Sequence, residues 1–321
     1  MMKLKKIIII LILISIIVLS LGFGASAKPF RVAVIMPSSI SDMAFSQSMY
    51  EALVTIQEEV GKENFEFVYS ENMFVVADAA AAIRDYASEG YDLVIAHGSQ
   101  YGSSLMEIAP DFPNTSFTWG TSVNTFSDKG ITNIFAYEAR SEEGGYVCGV
   151  LAAKLSQTGI IGVIGPIETG DAKLYVDGFK VGVLAIKPDA QVNVNWTGSF
   201  SDVALASEAA QTHINVGADV LTGTAQMVVG AIGVARQRGV LWFGTQADQT
   251  SLAPEVVVAN QVYDWTVVLR PMIQLVKEGT MGGTTYALTL ANGGLKIVVN
   301  QEALVGKTIQ DIVEGKTNIE F

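Results

Sequence analysis

Short runs of β-branched and apolar residues alternate along the chain with longer stretches in which apolar residues recur every three or four positions. These two periods separate buried strands from amphipathic helices. Residues 31–36, RVAVIM, form the first such run and predict a strand covered on both faces, as in a parallel sheet. Phe45, Met49, Leu53, Ile56 and Val60 then share one face of a helix that stops near Gly61. The alternation continues with strand 65–69, helix 78–88, strand 92–96, helix 101–109, strand 115–119 and a connecting strand at 133–137. It restarts with helix 142–155, strand 160–164, helix 173–186, strand 191–197, helix 203–216, strand 219–222, helix 226–238 and strand 240–244. A last helix spans 265–277 and carries Pro271, which predicts a kink.

Strand and helix in regular turn predict an α/β fold made of two doubly wound parallel-sheet lobes joined by three hinge segments. No Pro/Gly-rich linker separates the two series, so the lobes should form a closely associated pair. The crossings fall near residues 137–141, 261–264 and 282–286. That division gives a first lobe of 28–138 plus 264–285 and a second of 139–263 plus 286–321.

The apolar stretch from Ile7 to Leu21 breaks this pattern. It is uncharged, follows Lys3, Lys5 and Lys6, and precedes Ala25-Ser26-Ala27, the order of a cleavable secretory signal peptide over 1–27. Its length is short of the ~20 residues of a spanning helix, so cleavage after Ala27 and a periplasmic location are expected. No cysteine lies near the cleavage region to carry a lipid anchor.

Charge narrows the function further. The formal net charge is −12, and loss of the three leader lysines makes the mature chain more acidic still. A nucleic-acid partner is therefore not expected, because nothing supplies the basic surplus that neutralises phosphates. One cysteine and two histidines leave no disulfide scaffold, zinc module or metal site, and no cofactor is implied. Cys148, in an apolar stretch, reads as a buried thiol.

In open parallel sheets ligands bind beyond the carboxyl ends of the strands, so the loops there hold the candidate site. The first offers Asp42, Phe45, Ser46 and Gln47 at a helix opening, although Asp42 also suits an N-cap and Phe45 a core position. His97-Gly98 follows the third strand and Trp119 the fourth. Glu168 sits in a proline-containing loop, too constrained for a phosphate cradle. Trp196 and Phe200 follow a second-lobe strand and suit an aromatic clamp on a planar ligand. Thr224, Gln246 and Asp248 occupy equivalent later loops. Dinucleotide, P-loop, serine-elbow and zinc-protease motifs are absent, which points away from an enzyme. An enzyme on this scaffold would have only His97 with Glu168 as an acid/base combination.

Six motifs occur in a telling order: D-x-x-F-x-Q at 42–47, EGGYVCGVLAA at 143–153, GIIGVIG at 159–165, G-S-F-x-D at 198–202, GADV at 217–220 and D-Q-x-x-L-A-P at 248–254. Together they resemble the basic membrane protein family of ABC-transporter substrate-binding proteins, of the purine nucleoside receptor type. The resemblance spans the mature chain. It implies a type I periplasmic binding protein fold, a monomer that captures a purine nucleobase or nucleoside, and an ABC permease of the inner membrane as partner. It also implies that Phe45 and Phe200 sandwich the base, with Trp196 as substitute, while Asp42 and Gln47 read its polar edge. Departures from the family pattern are Ser46 within F-S-Q, Gln246 in place of an acid, and a lysine replaced near Tyr263. They imply loss of the usual ribose-holding carboxylate and lysine, and hence a free nucleobase or another small heteroaromatic or polar ligand. A ligand-sensing partner of a membrane receptor would share all these features.

Overall fold

The structure, a computed structural model, describes residues 28–301. The expected leader over 1–27 and the end of the second lobe at 302–321 lie outside the described residues. The chain enters at β1 (Phe30–Ile35) and continues through α1 (Phe45–Val60), β2 (Phe65–Ser70), α2 (Val76–Ser88), β3 (Leu93–Ala96), α3 (Gly102–Ile108), β4 (Ser116–Gly120) and β5 (Ile134–Ala139). A second series follows: α4 (Ser141–Leu155), β6 (Ile160–Gly165), α5 (Gly170–Ile186), β7 (Gln191–Trp196), α6 (Val203–Asn215), β8 (Val220–Gly223), α7 (Val228–Arg238), β9 (Leu241–Gln246) and β10 (Val257–Tyr263). The described chain closes with α8 (Thr266–Lys277), β11 (Thr285–Leu288) and β12 (Leu295–Val299).

These strands build two six-stranded sheets, ordered β11-β5-β4-β3-β1-β2 and β12-β10-β9-β8-β6-β7. The first is parallel throughout, and the second has one antiparallel edge, where β12 runs against β10. Each sheet is covered on both faces, which is why its central strands read as unbroken apolar runs. Met49 and Leu53 of α1 pack with Trp265, Leu269 and Met272 on one face of the first sheet, while Ile83, Leu105 and Phe117 belong to the core on the other. In the second sheet Leu151, Tyr175 and Phe179 cover one face and Ala206, Met227 and Trp242 the other. Full burial of a side chain such as Leu53 contributes about 1.5–3 kcal/mol.

The chain passes between sheets three times: from β5 to α4, from β10 to α8, and from β11 to β12. The third passage, at 289–294, comes later than the sequence reading placed it. Residues 285–288 first pair with β5, Thr285 opposite Ala136, before the chain leaves the first sheet. Helix α8 runs through Pro271 as one helix from Thr266 to Lys277. Cys148 is buried without a disulfide, and burial pushes its thiol up to about 12.

Candidate ligand cleft

Loops at the carboxyl ends of β1, β2, β3, β4, β6, β7, β8 and β9 converge on one cavity between the two sheets. Both lobes supply its wall, with Phe45, Phe74 and Thr121 from the first and Asp171, Phe200 and Gln246 from the second. The lobes also touch, since Gln249 Nε2 donates to the Met43 carbonyl at 3.3 Å. This bond joins the loop of D-x-x-F-x-Q to that of D-Q-x-x-L-A-P, so two of the sequence motifs meet across the interface.

Backbone strain collects at the same place. Thr121, Ala225 and Gln246 line the cavity with φ of 59°, 74° and 75°, a left-handed conformation that non-glycine residues rarely adopt. Such conformations cost of order 1–3 kcal/mol each and gather where function fixes a loop. Gln246 shows how one is held: its Oε1 accepts from the Ala225 N–H at 3.2 Å and its Nε2 donates to Asp171 Oδ2 at 3.4 Å. One amide thus ties the loops after β6, β8 and β9 together.

Among the sequence candidates, Phe45, Gly98, Phe200 and Gln246 line the cavity. The others lie outside its wall, each for a visible reason. Asp42 caps α1, accepting from the N–H groups of Ala44 at 2.8 Å, Ser46 at 3.1 Å and Gln47 at 3.1 Å. Ser46 Oγ accepts from the Ser38 N–H at 3.1 Å, and the Gln47 amide spans Met43 N–H and Glu51. Trp119 stacks on Phe126 and donates from its indole to the carbonyls of Gly98 and Ser99, fixing the loop after β3. Trp196 lies against Gly165, where a Cβ would meet its ring at 2.3 Å. Asp248 accepts from Asn260 Nδ2 at 2.9 Å and from the Thr250 N–H at 3.0 Å. Thr224 is buried beside Ala225, its Oγ1 without a protein partner.

His97 and Glu168, the acid/base combination an enzyme would need, are not assembled. Glu168 is exposed and pairs with Lys173 at 3.4 Å. His97 is fully buried, its ring stacked on Phe45 with centroids 3.8 Å apart and planes 6° from parallel. Its Nε2 lies 3.1 Å from the Phe45 carbonyl and its Nδ1 2.6 Å from the Tyr137 hydroxyl. A carbonyl only accepts, so Nε2 carries the proton and Nδ1 receives the tyrosine hydrogen. Burial pushes the ring down to about 3, keeping it neutral. It therefore serves as a backing plate for Phe45 and as an anchor for the Phe45 backbone.

This histidine predicts a pH dependence of stability. Below its ordinary value of 6.5 the unfolded chain takes up a proton that the folded ring refuses until pH falls to about 3. Stability should thus fall as pH drops below 6.5, by about 1.4 kcal/mol per unit once the unfolded histidine is charged. Buried His213 acts in the same direction, while Asp42 and Asp171, raised by burial, act against it nearer the carboxylate range. Denaturant titrations at pH 7.5, 6 and 5 measure the slope for wild type and His97→Gln. An equal slope in the variant would refute the assignment to His97.

Asp171, which sequence reasoning missed, stands at the start of α5 in the cavity wall. Its Oδ2 accepts from the Tyr263 hydroxyl at 3.1 Å as well as from Gln246. Burial raises its carboxyl above the usual range, and the bonds from Tyr263 and Gln246 pull it partly back. The signal available was an acid just after a strand-to-helix loop, G-P-I-E-T-G-D, in which Glu168 drew attention instead. Gln226 and Phe74 were also missed; both line the cavity, and Gln226 Nε2 is buried without a protein partner. Among the described residues no acid, histidine and cysteine cluster could hold a metal, and no helix is long and apolar enough to cross a membrane.

Comparison with known proteins agrees with this geometry. The chain is 29% identical over 259 residues to a purine-binding protein of Brucella abortus, covering 81% of this chain and 72% of that one. It is 24% identical over 307 residues to the nucleoside-binding protein BmpA of an ABC transporter from Lactococcus lactis, covering 88% and 86%. An ABC transporter solute-binding protein from Conexibacter woesei superposes with a TM-score of 0.71 at 22% identity, over 92% of this chain and 99% of that one, and shares the fold. The family described as "ABC transporter substrate-binding protein PnrA-like" matches residues 30–320, and the chain belongs to that family of substrate-binding proteins.

Proposed function

We propose that this protein captures a purine nucleobase or nucleoside in the interlobe cleft and delivers it to an ABC permease of the inner membrane. The family itself implies a small-molecule ligand and a permease. The choice of a purine rests on one observation: Phe45 and Phe200, one from each lobe, line a mainly apolar cavity that also holds Phe74 and carries hydroxyls and amides such as those of Thr121, Gln226 and Gln246. A planar heteroaromatic ring is the ligand that uses both features, stacking on the rings while its edge takes the polar groups. The Brucella and Lactococcus relatives, a purine-binding and a nucleoside-binding protein, support the same chemistry. In this reading the apolar leader is cleaved after Ala27 and the protein works in the periplasm as a monomer.

Thermal-shift screening of the purified chain tests the proposal. A ligand at a hundredfold excess over its Kd stabilises the folded form by about 2.7 kcal/mol, and each kcal/mol is read as roughly 2–4 °C in a protein of this size class. Adenine, hypoxanthine, guanine or their nucleosides should produce such a shift. A clear shift with sugars or amino acids and none with any purine would sink the purine assignment.

A further inference from the structure

We propose that Asp171 decides which ligands the cleft accepts: its carboxylate receives a hydrogen bond from the ligand, so the protein takes neutral or cationic heteroaromatics bearing an N–H or O–H donor and rejects anionic ones. The inference rests on the purine reading and narrows it. Among the described residues Asp171 is the single ionisable side chain in the cavity wall, with no lysine, arginine or histidine beside it there. A carboxylate has about four acceptor directions; the bonds from Tyr263 and Gln246 both reach Oδ2, and the backbone N–H groups of Asp171 and Ala172 also act on the carboxylate, so a ligand donor completes a partly satisfied group. Those two neighbours hold the group in place from β10 and β9. Gln246 and Tyr263, where the family resemblance implies a lost carboxylate and lysine, therefore converge on an acid supplied by a different element, α5.

A second group in the same wall also points to a ligand. Gln226 is only 8% exposed, and its Nε2 has no partner within the protein. A buried amide donor left unsatisfied is destabilising, a cost that a ligand acceptor would remove. The wall thus offers one charged acceptor and one unused donor, which suits an oxopurine edge presenting N–H beside C=O. An anion is treated very differently. A phosphate or carboxylate would be brought next to Asp171 with no cation in the wall to offset the repulsion or the desolvation.

The test is calorimetric titration of the full chain and of Asp171→Asn with hypoxanthine and inosine, each against an anionic counterpart, urate and inosine 5′-monophosphate. Wild type should bind the tighter neutral ligand at least a hundredfold better than its anion. Asp171→Asn should lose at least tenfold for the neutral ligand while the gap to the anion narrows, a change in selectivity that a merely structural role would not produce. The wild-type comparison stands even if the variant folds poorly. An anion bound within tenfold of its neutral counterpart, or unchanged neutral affinity in a folded variant, would overturn the inference and leave the purine reading intact. If neither hypoxanthine nor inosine bound wild type while another purine did, this narrowing alone would fall; if no purine bound, the purine reading would fall with it.

Discussion

Phe45→Ala and Phe200→Ala are each expected to weaken purine binding by about 1–3 kcal/mol, roughly ten- to a hundredfold, the range for a base stacked on one aromatic ring. The loss should be similar for a base and its nucleoside, because stacking does not involve the sugar. Phe45 is well prepared for this role. His97 covers one face at 3.8 Å and Trp265 meets its ring edge-on, 5.9 Å away and 89° from parallel. The ring is 7% exposed and lines the cavity, so little conformational entropy remains to be lost when a ligand stacks on it. Phe200 is held by its backbone, whose carbonyl accepts from the Met227 N–H at 3.1 Å. Calorimetric titration of both variants with a purine that binds wild type gives the answer. Undiminished affinity in both would remove the aromatic clamp.

The fold was legible because parallel strands covered on both faces have no polar positions to blur them. β1, β3 and β6 are buried almost throughout, and each was placed within a residue or two. The strands that were not placed fail that condition. β10 carries Asn260 and Gln261 in its middle, residues that interrupt an apolar run although both are fully buried. Asn260 is tolerated there because it bonds Asp248, Thr250 and the Gln249 N–H. β11 and β12 are short edge strands, half-exposed along most of their length, whose pairing is decided by the sheets they join.

The site was legible only in part, for a different reason. Of the residues chosen by their position after a strand, Phe45, Gly98, Phe200 and Gln246 line the cavity. That position could not distinguish a side chain that enters the cavity from one that turns back to satisfy its own loop. Asp42 spends its carboxylate on three backbone N–H groups, and Trp119 spends its indole on two carbonyls. Asp171 presents the opposite case, an acid at a helix start that keeps a place in the wall because Tyr263 and Gln246 reach it from strands distant in sequence. Contacts of that kind carry no local signature.

The EGGYVCG motif has its explanation in packing, and it leads to the largest expected effect on stability. Gly145 and Gly149 of α4 face α5, and Gly178 and Gly182 of α5 face α4, each pair four residues apart and so on one side of its helix. A Cβ on Gly149 would lie 2.1 Å from the Phe179 carbonyl oxygen, and one on Gly178 would lie 2.2 Å from that of Glu142. The obstacle in both cases is backbone, which cannot rotate aside as a side chain can. Gly149→Ala and Gly178→Ala must therefore push the helices apart and loosen the packing of Tyr175 and Phe179 of α5 in the core of the second lobe. Each should cost about 1–3 kcal/mol, and since both act at one interface, the double variant should deviate from the sum. Gly233 is the control: it lies within α7, has no positive φ, and a Cβ there meets nothing within 4 Å. Gly233→Ala should stabilise by roughly 0.5–1 kcal/mol through the backbone entropy that glycine brings to the unfolded chain. Urea denaturation of the three single variants and the Gly149→Ala/Gly178→Ala double variant measures all of this directly. Destabilisation by Gly233→Ala as large as that by Gly149→Ala would show that glycine content, and not the backbone contact between α4 and α5, sets the cost.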